Sequence, residues 1–241
     1  MVRGASSECS PFSESLSKTT PDFDRLALIY RWMEWFTFGP FLWRCRCAFL
    51  NRMKRSQAAL MLGDGDGRFT ARLLRENLNL KVDAVDASRA MLNGLRQRAD
   101  SNINRVRTHC SDARISVPAR REHDLVIMHF FLDCLTTTEV VNLAMHIRRR
   151  VSDDAIWVIS EFAVPSGWYG RLVAEPLIHF LYLAFGWLTG LEIRSLPDHS
   201  LALTNAGLSL RLKRKWLGGL LISELWHRDP QFCLFGLRSK L

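Results

Sequence analysis

Three glycines and two carboxylates alternate through five consecutive residues: Gly63, Asp64, Gly65, Asp66 and Gly67. Glycines at this spacing let the backbone turn at positive φ and approach a ligand that a Cβ would repel. Nineteen residues after Gly67 comes Asp86, at the end of the apolar run that follows. A carboxylate there can accept hydrogen bonds from both hydroxyls of a ribose. The glycine spacing is G-x-G-x-G, whereas dinucleotide sites use G-x-G-x-x-G with a helix start aimed at a pyrophosphate. Glycine turn and acid together point to a nucleoside-bearing cofactor.

Positioning these residues takes a strand, a turn, a helix and a second strand. Ala58 to Leu62 is long enough for one buried strand, and Phe69, Leu73 and Leu74 fall on one helical face, with Leu78 expected near the helix end. Lys81 to Val85 is the second strand and runs into Asp86. Ser88 should cap a helix carrying Met91, Leu92, Leu95 and Ala99. Val106 to Cys110 is the third strand and ends in Ser111, Asp112 and Ala113. Asp124 to Met128 is continuously apolar after its first residue, as a central parallel strand should be. It delivers His129, Phe130, Phe131 and Asp133 to its C-terminal end, where open α/β sheets bind ligands. A helix over 138–150 and a fifth strand, Ile156 to Ser160, ending at Glu161 and Phe162, complete the parallel part.

This stretch resembles the class I S-adenosylmethionine (SAM) methyltransferases, whose first motif has this glycine spacing. The resemblance implies that Gly63, Asp64, Gly65 and Gly67 cradle the amino-acid end of SAM and that Asp86 holds its ribose. It further implies that Met91 packs on the adenine and Asp112 accepts from its amino group, with Ala87, Ser88 and Ala113 also at the cofactor. Many members carry an acid two residues before the first glycine; this chain has Met61 there, and Asp64 is the acid nearest to that role. A narrower resemblance joins residues 23–44, FDRLALIYRWMEWFTFGPFLWR, to the ubiquinone/menaquinone-biosynthesis C-methyltransferases. Phe23, Ala27, Tyr30, Met33 and Gly39 match that pattern, and the EF-x-x-P ending of the fifth strand does so again. The His-Arg pair that follows the glycine in that group is Phe41-Leu42 here. Tyr30 is thereby a further candidate at the cofactor.

The remaining chain predicts additions to that sheet. Residues 1–20 read as a polar tail with no signal-peptide core. Pro21 starts a helix, and a second helix is expected from Phe41 to about Lys54; residues 21–56 would form a lid ahead of the first strand. An insertion over 166–195 contains Leu177 to Leu191, an uncharged run shorter than the roughly 20 residues that span a bilayer. It could be a buried helix, a substrate lid, or an interfacial helix. Asp198 should cap a helix stopping near Gly207. Alternation from Leu208 and the run LLISELW, joined by Leu217-Gly218-Gly219, predict a terminal antiparallel hairpin. The expected fold class is α/β: a three-layer Rossmann-like seven-stranded sheet, with domain bounds 57–241.

Bulk properties narrow the chemistry. The 241 residues are 48% hydrophobic, enough for one α/β domain with additions. Lys and Arg number 33 against 24 acids, a net charge of +9 that favours anionic surfaces. Six cysteines lack paired zinc spacing and any secreted disulfide pattern, which reads as a reducing cytoplasm. The run HFFLDC lacks the Asn/Asp-Pro-Pro-aromatic signature of DNA amino-methyltransferases, and no Pro-Cys nucleophile motif occurs, so nucleic acid is disfavoured as substrate. The expected reaction is methyl transfer from SAM to a small apolar acceptor, quinone-like or lipid-like, with peripheral contact to an anionic membrane. His129 is the first candidate for a catalytic base and also a candidate contact for the cofactor or a cap on its strand; Tyr30, Asp133 and Glu161 are alternatives as base. A non-catalytic SAM-binding accessory protein and an NAD-dependent oxidoreductase are the rival readings.

Overall fold

The computed structural model of the chain describes residues 38–181 and 196–230. Tyr30, the other N-terminal matches at 23–33, and the apolar run beyond residue 181 lie outside them. Seven strands form one sheet: β1 (Ala58–Leu62), β2 (Lys81–Asp86), β3 (Val106–Cys110), β4 (Leu125–His129), β5 (Ile156–Phe162), β6 (Leu208–Trp216) and β7 (Leu221–Arg228). Their spatial order is β3-β2-β1-β4-β5-β7-β6. The first five are parallel, and β7 enters antiparallel between β5 and β6. The expected α/β class, strand number and terminal hairpin are all present.

Strand alternation divides the core into two layers. Leu60, Leu62, Val126, Met128, Trp157 and Ile159 face one side, where they pack on α5 (Thr137–Arg148) and α6 (His199–Asn205). Ala59, Met61, Leu125, Ile127 and Val158 face the other, against α3 (Arg68–Glu76) and α4 (Arg89–Ala99). Both helices on that face present apolar stripes: Phe69, Leu73 and Leu74 from α3, Leu95 and Ala99 from α4. β4 is buried at all five positions because helices cover both of its faces.

Two expectations need correction. The single helix expected over 41–54 is two short ones, α1 (Pro40–Arg46) and α2 (Leu50–Met53). Leu42 and Cys45 pack in a cluster at the C-terminal ends of the strands, whereas Phe49 and Met53 pack beneath the sheet with α3. One straight helix could not bury both sets, so the chain bends between them. The helix after the glycine turn ends at Glu76, and Leu78 is exposed. Asn77 stops it by leaving helical geometry and donating its buried side-chain amide to the Met53 and Ser56 carbonyls.

Candidate active site

In an open parallel sheet a ligand crevice forms where neighbouring strands send their connections to opposite faces. Here that point lies between β1, whose chain continues to α3, and β4, whose chain continues to α5. The glycine turn leaves β1 with Gly63, Gly65 and Gly67 all at positive φ, 66°, 61° and 80°. The turn is fastened to the next strand by the Gly63 N–H, which donates to the Val85 carbonyl at 3.0 Å.

A Cβ placed at each glycine finds different company. At Gly63 it would lie 2.6 Å from Phe131 Cδ2, and at Gly67 2.5 Å from Leu95 Cα. Those two glycines make room for protein. At Gly65, among the described residues, it would meet only Met91 Sδ at 3.8 Å, so no described side chain fills the space beside this backbone. Across that space β2 ends at Asp86, half-buried, with one carboxylate oxygen accepting the Ser88 N–H at 2.8 Å. Ser88 then caps α4 by accepting the Met91 N–H at 3.2 Å. Ala87 is exposed between them. Gly65, Asp86 and Met91 thus rim one cradle. A nucleoside with an amino-acid arm fits that set: a carboxylate for ribose, a thioether for the base, and bare backbone for the arm.

Asp112 and Ala113 follow β3, with Ala113 buried and Asp112 half-buried. Both Asp112 oxygens are engaged by the Arg114 guanidinium, at 2.6 to 3.0 Å. Burial alone would raise the Asp112 pKa, but these bonds outweigh it and hold the carboxyl below its usual range. It remains an acceptor, held in a fixed orientation by Arg114.

Asp64 serves the turn from beneath. It is buried and accepts the Thr70 N–H at 2.8 Å, satisfying a donor in the first turn of α3. Its burial raises the carboxyl pKa, against the opposing charge of Arg46. Met61, at the place where many relatives carry an acid, is fully buried in the layer beneath the sheet.

His129 is brought to the end of β4 but turned into the core. It is 1% exposed, its ring packs edge-on against Phe69 at 4.6 Å, and neither ring nitrogen has a hydrogen-bond partner among the described residues. Burial, with the nearby Arg46 charge, pushes its pKa well below the ordinary value, so the imidazole is neutral. The reason is strand alternation: His129 shares the face of Leu125 and Ile127, which packs on α3.

The carboxylates that sequence ranked as alternatives come together instead. After β4 the chain turns sharply at Phe130, which holds a positive φ of 53°. Glu161, at the end of β5, supports this turn: its Oε1 accepts the Phe131 and Leu132 N–H groups at 3.0 and 2.8 Å. Burial raises the Glu161 pKa well above the ordinary range, and the neighbouring Asp133 pushes the same way. Asp133 itself is pushed up to about 6 by burial. Cys134 shares this cluster, and burial together with the Asp133, Glu161 and Asp86 charges keeps its thiol protonated. Beside it runs a row of rings, Phe38 to Phe162 at 5.2 Å and Phe162 to Phe130 at 5.0 Å, with the Arg46 guanidinium 5.4 Å from the Phe130 centroid. Sequence missed this row because Phe38, Phe130 and Phe162 lie on three separate segments.

Among the described residues one group has metal-ligand spacing: Asp83, Glu122 and His123. It lies away from the crevice and is satisfied as a hydrogen-bonded set. The Arg120 N–H donates to His123 Nδ1 at 3.0 Å, so His123 Nε2 carries the proton and donates to Asp83 Oδ2 at 3.0 Å. His109 Nε2 lies 2.7 Å from the other Asp83 oxygen.

Comparison with known proteins bears on the fold and on one matched domain. Residues 59–154 match the family described as "Methyltransferase domain". A search of curated proteins returns no match. Among solved structures, the pyocyanin biosynthetic protein PhzM is 14% identical, with a TM-score of 0.61 over 80% of this chain and 57% of its own. CalO1, a methyltransferase of calicheamicin biosynthesis in its SAH-bound form, is 19% identical, with a TM-score of 0.61 over 86% and 59%. A candidate O-methyltransferase from Nostoc punctiforme is 15% identical, with a TM-score of 0.68 over 90% and 64%. The chain spans about three-fifths of the length of these relatives. Residues 59–154 thus match a methyltransferase domain, and the chain shares the fold of these solved methyltransferase structures.

Proposed function

We propose that this protein is an enzyme that transfers a methyl group from SAM to a small, largely apolar acceptor. The observation that carries the reading is the open cradle rimmed by Gly65, Asp86 and Met91, beside an aromatic row and a carboxylate cluster. When bound, SAM supplies a methyl group activated by its sulfonium. Asp86 would orient the ribose, and the bare backbone at Gly65 would allow the amino-acid arm to approach. Phe38, Phe162 and Phe130 offer an apolar wall for a flat or lipid-like acceptor and keep water from the reacting atoms. Where the acceptor must lose a proton, Asp133 is the best-supported receiver, since it sits at the crevice with a pKa of about 6 and is ionised at neutral pH. His129, buried against Phe69, is not assigned this role in the reading.

The test combines calorimetry with turnover. Purified protein should bind SAM and not NAD, and should form S-adenosylhomocysteine when offered phenolic, quinol-like or lipid-like acceptors. Turnover should rise with pH through about 6, because only ionised Asp133 accepts a proton. Asp133→Asn should lower kcat and abolish that limb while leaving SAM affinity nearly unchanged. NAD binding in place of SAM would reject the reading. SAM binding with no turnover on any acceptor class would favour a non-catalytic SAM-binding protein.

A further inference from the structure

The insertion after β5 carries an apolar face that stands exposed among the described residues. The chain leaves β5 through Pro165 and folds back so tightly that a Cβ at Gly170 would meet the Pro165 carbonyl at 1.7 Å. A π-helical turn, Gly170–Ala174, then opens a helical stretch that continues through residue 181. Ala174 and Ile178 pack inward with Leu42, Phe130 and Leu221. Trp168, Leu172 and Phe180 point away and are 70%, 72% and 67% exposed. Single exposed apolar residues are ordinary; three large ones on one short element are not.

Positive charge lies on this element and on the turn beside it. Arg171 is exposed on the same element. The Tyr169 hydroxyl donates to the Leu217 carbonyl at 3.2 Å, which brings the β6–β7 turn alongside. The Lys215 stem passes close to Gly219 there, beside Pro165. Arg44, exposed on α1, stands 5.7 Å from the Phe41 ring, and Phe41 packs on the same cluster as Ala174 and Ile178. Glu175 is the exposed acid on the helix. Large exposed apolar side chains with exposed basic residues on the same element and the adjoining turn, on a chain of net charge +9, complement an anionic lipid surface. Among the described residues no helix is long and apolar enough to cross a membrane. The sequence continues without a charged residue to Leu191, outside the described residues.

We propose that the Trp168, Leu172 and Phe180 face, with Arg171 on the same element and Lys215 on the adjoining turn, seats the protein on the surface of an anionic bilayer. Contact at this end, where Phe130 and Phe162 also lie, would let an apolar acceptor pass from lipid to the crevice. That last step rests on the proposed methyl transfer; the contact itself does not. Flotation of the full chain without cofactor should show binding to vesicles of phosphatidylcholine with about one-third phosphatidylglycerol. Binding should be at least ten-fold weaker to phosphatidylcholine alone and should fall with added salt. The triple variant Trp168→Ser, Leu172→Ser, Phe180→Ser should lose vesicle binding at least ten-fold. It should keep wild-type circular dichroism and SAM affinity, since all three side chains are exposed. The pair Arg171→Glu, Lys215→Glu should weaken binding to anionic vesicles and leave neutral ones unaffected. No binding to anionic vesicles, or binding unchanged in the triple variant, overturns the proposal. So does a lipid-free wild-type oligomer that the triple variant converts to monomer, since the face would then join copies of the chain. Loss of SAM binding in the wild type would instead count against the proposed reaction, and the two failures are read by separate measurements.

Discussion

Gly65 and Gly67 share a left-handed backbone, yet a methyl group at each would meet different things. At Gly67 it would strike the backbone of α4 at Leu95, which cannot give way as a side chain can. At Gly65 it would enter the cradle. Gly65→Ala should therefore cost about 1–2 kcal/mol of stability, the left-handed penalty for a residue with a Cβ. Gly67→Ala should cost more, because the same penalty is joined by a helix displaced from the sheet. Urea melts would separate the two, and SAM calorimetry on Gly65→Ala should show weakened binding in protein that is still folded. Asp86→Ala should weaken SAM by roughly 1.5–3 kcal/mol, the scale for hydrogen bonds to a charged group, with the melt nearly unchanged. Glu161 makes the opposite kind of prediction. Its raised pKa means that ionisation opposes the fold: its contribution is full at acid pH and is lost as pH rises above the ordinary carboxylate value. Glu161→Gln keeps an oxygen for the Phe131 and Leu132 amides and cannot ionise. The variant should match wild type near pH 5 in thermal melts and become the more stable protein toward pH 9.

At the scale of elements, the sheet and helices are fastened at their ends by side chains readable from sequence only in part. Thr136 begins α5 with a reciprocal box: its hydroxyl accepts the Glu139 N–H, and Glu139 accepts the Thr136 N–H. Asp124 fastens two strands at once. Its carboxylate, just before β4, accepts the Gln57 and Ala58 N–H groups at the start of β1, at 2.9 to 3.1 Å. Asp124→Ala should leave both amides without a protein partner and lower stability by about 2 kcal/mol in denaturant melts. If the melt is unchanged, solvent replaces the carboxylate without loss and the staple is ornamental. The bend between α1 and α2 is the element-scale feature that sequence misread. Aromatic and apolar residues recur at helical spacing through 41–54, and nothing in that spacing says that two clusters on different sides of the sheet claim them.

Across the whole molecule, charge decides how the edge of the sheet is held. Glu224 on β7 is fully buried, yet Lys213 of β6 reaches it at 2.7 Å, His199 of α6 lies 3.3 Å away, and the Trp226 indole donates at 3.0 Å. Burial raises the Glu224 pKa, but the bonds and charges of His199 and Lys213 outweigh it, and the carboxyl is held below its usual value. A lowered pKa stabilises the fold above the ordinary carboxylate range, and that stability is lost as pH falls through the lowered value. Glu224→Gln should therefore unfold more easily at pH 7, while its disadvantage shrinks as both proteins are taken toward pH 3. A constant difference across that range would mean that packing, and not charge, carries the effect. The cationic excess lies partly on β6, the exposed edge strand, where Arg211, Arg214 and Lys215 also discourage pairing with another sheet.

Sequence by itself determined the fold class and the glycine turn, because both are written in local, contiguous signals. The glycine spacing, the acid ending β2, the capping Ser88 and the apolar run of β4 each depend on residues a few positions apart, and turn and strand geometry follows from them directly. What tertiary structure alone decided is which side chains face the crevice. His129 and Asp133 are four residues apart on one loop-bound segment; strand alternation sends the first into the layer beneath the sheet, and the turn at Phe130 leaves the second among the carboxylates. The pKa of each is set by neighbours distant in sequence: Phe69 and Arg46 for His129, and for Asp133 the depth of a site closed by Glu161 from β5. Burial and desolvation are properties of the assembled core, and no spacing along a chain encodes them.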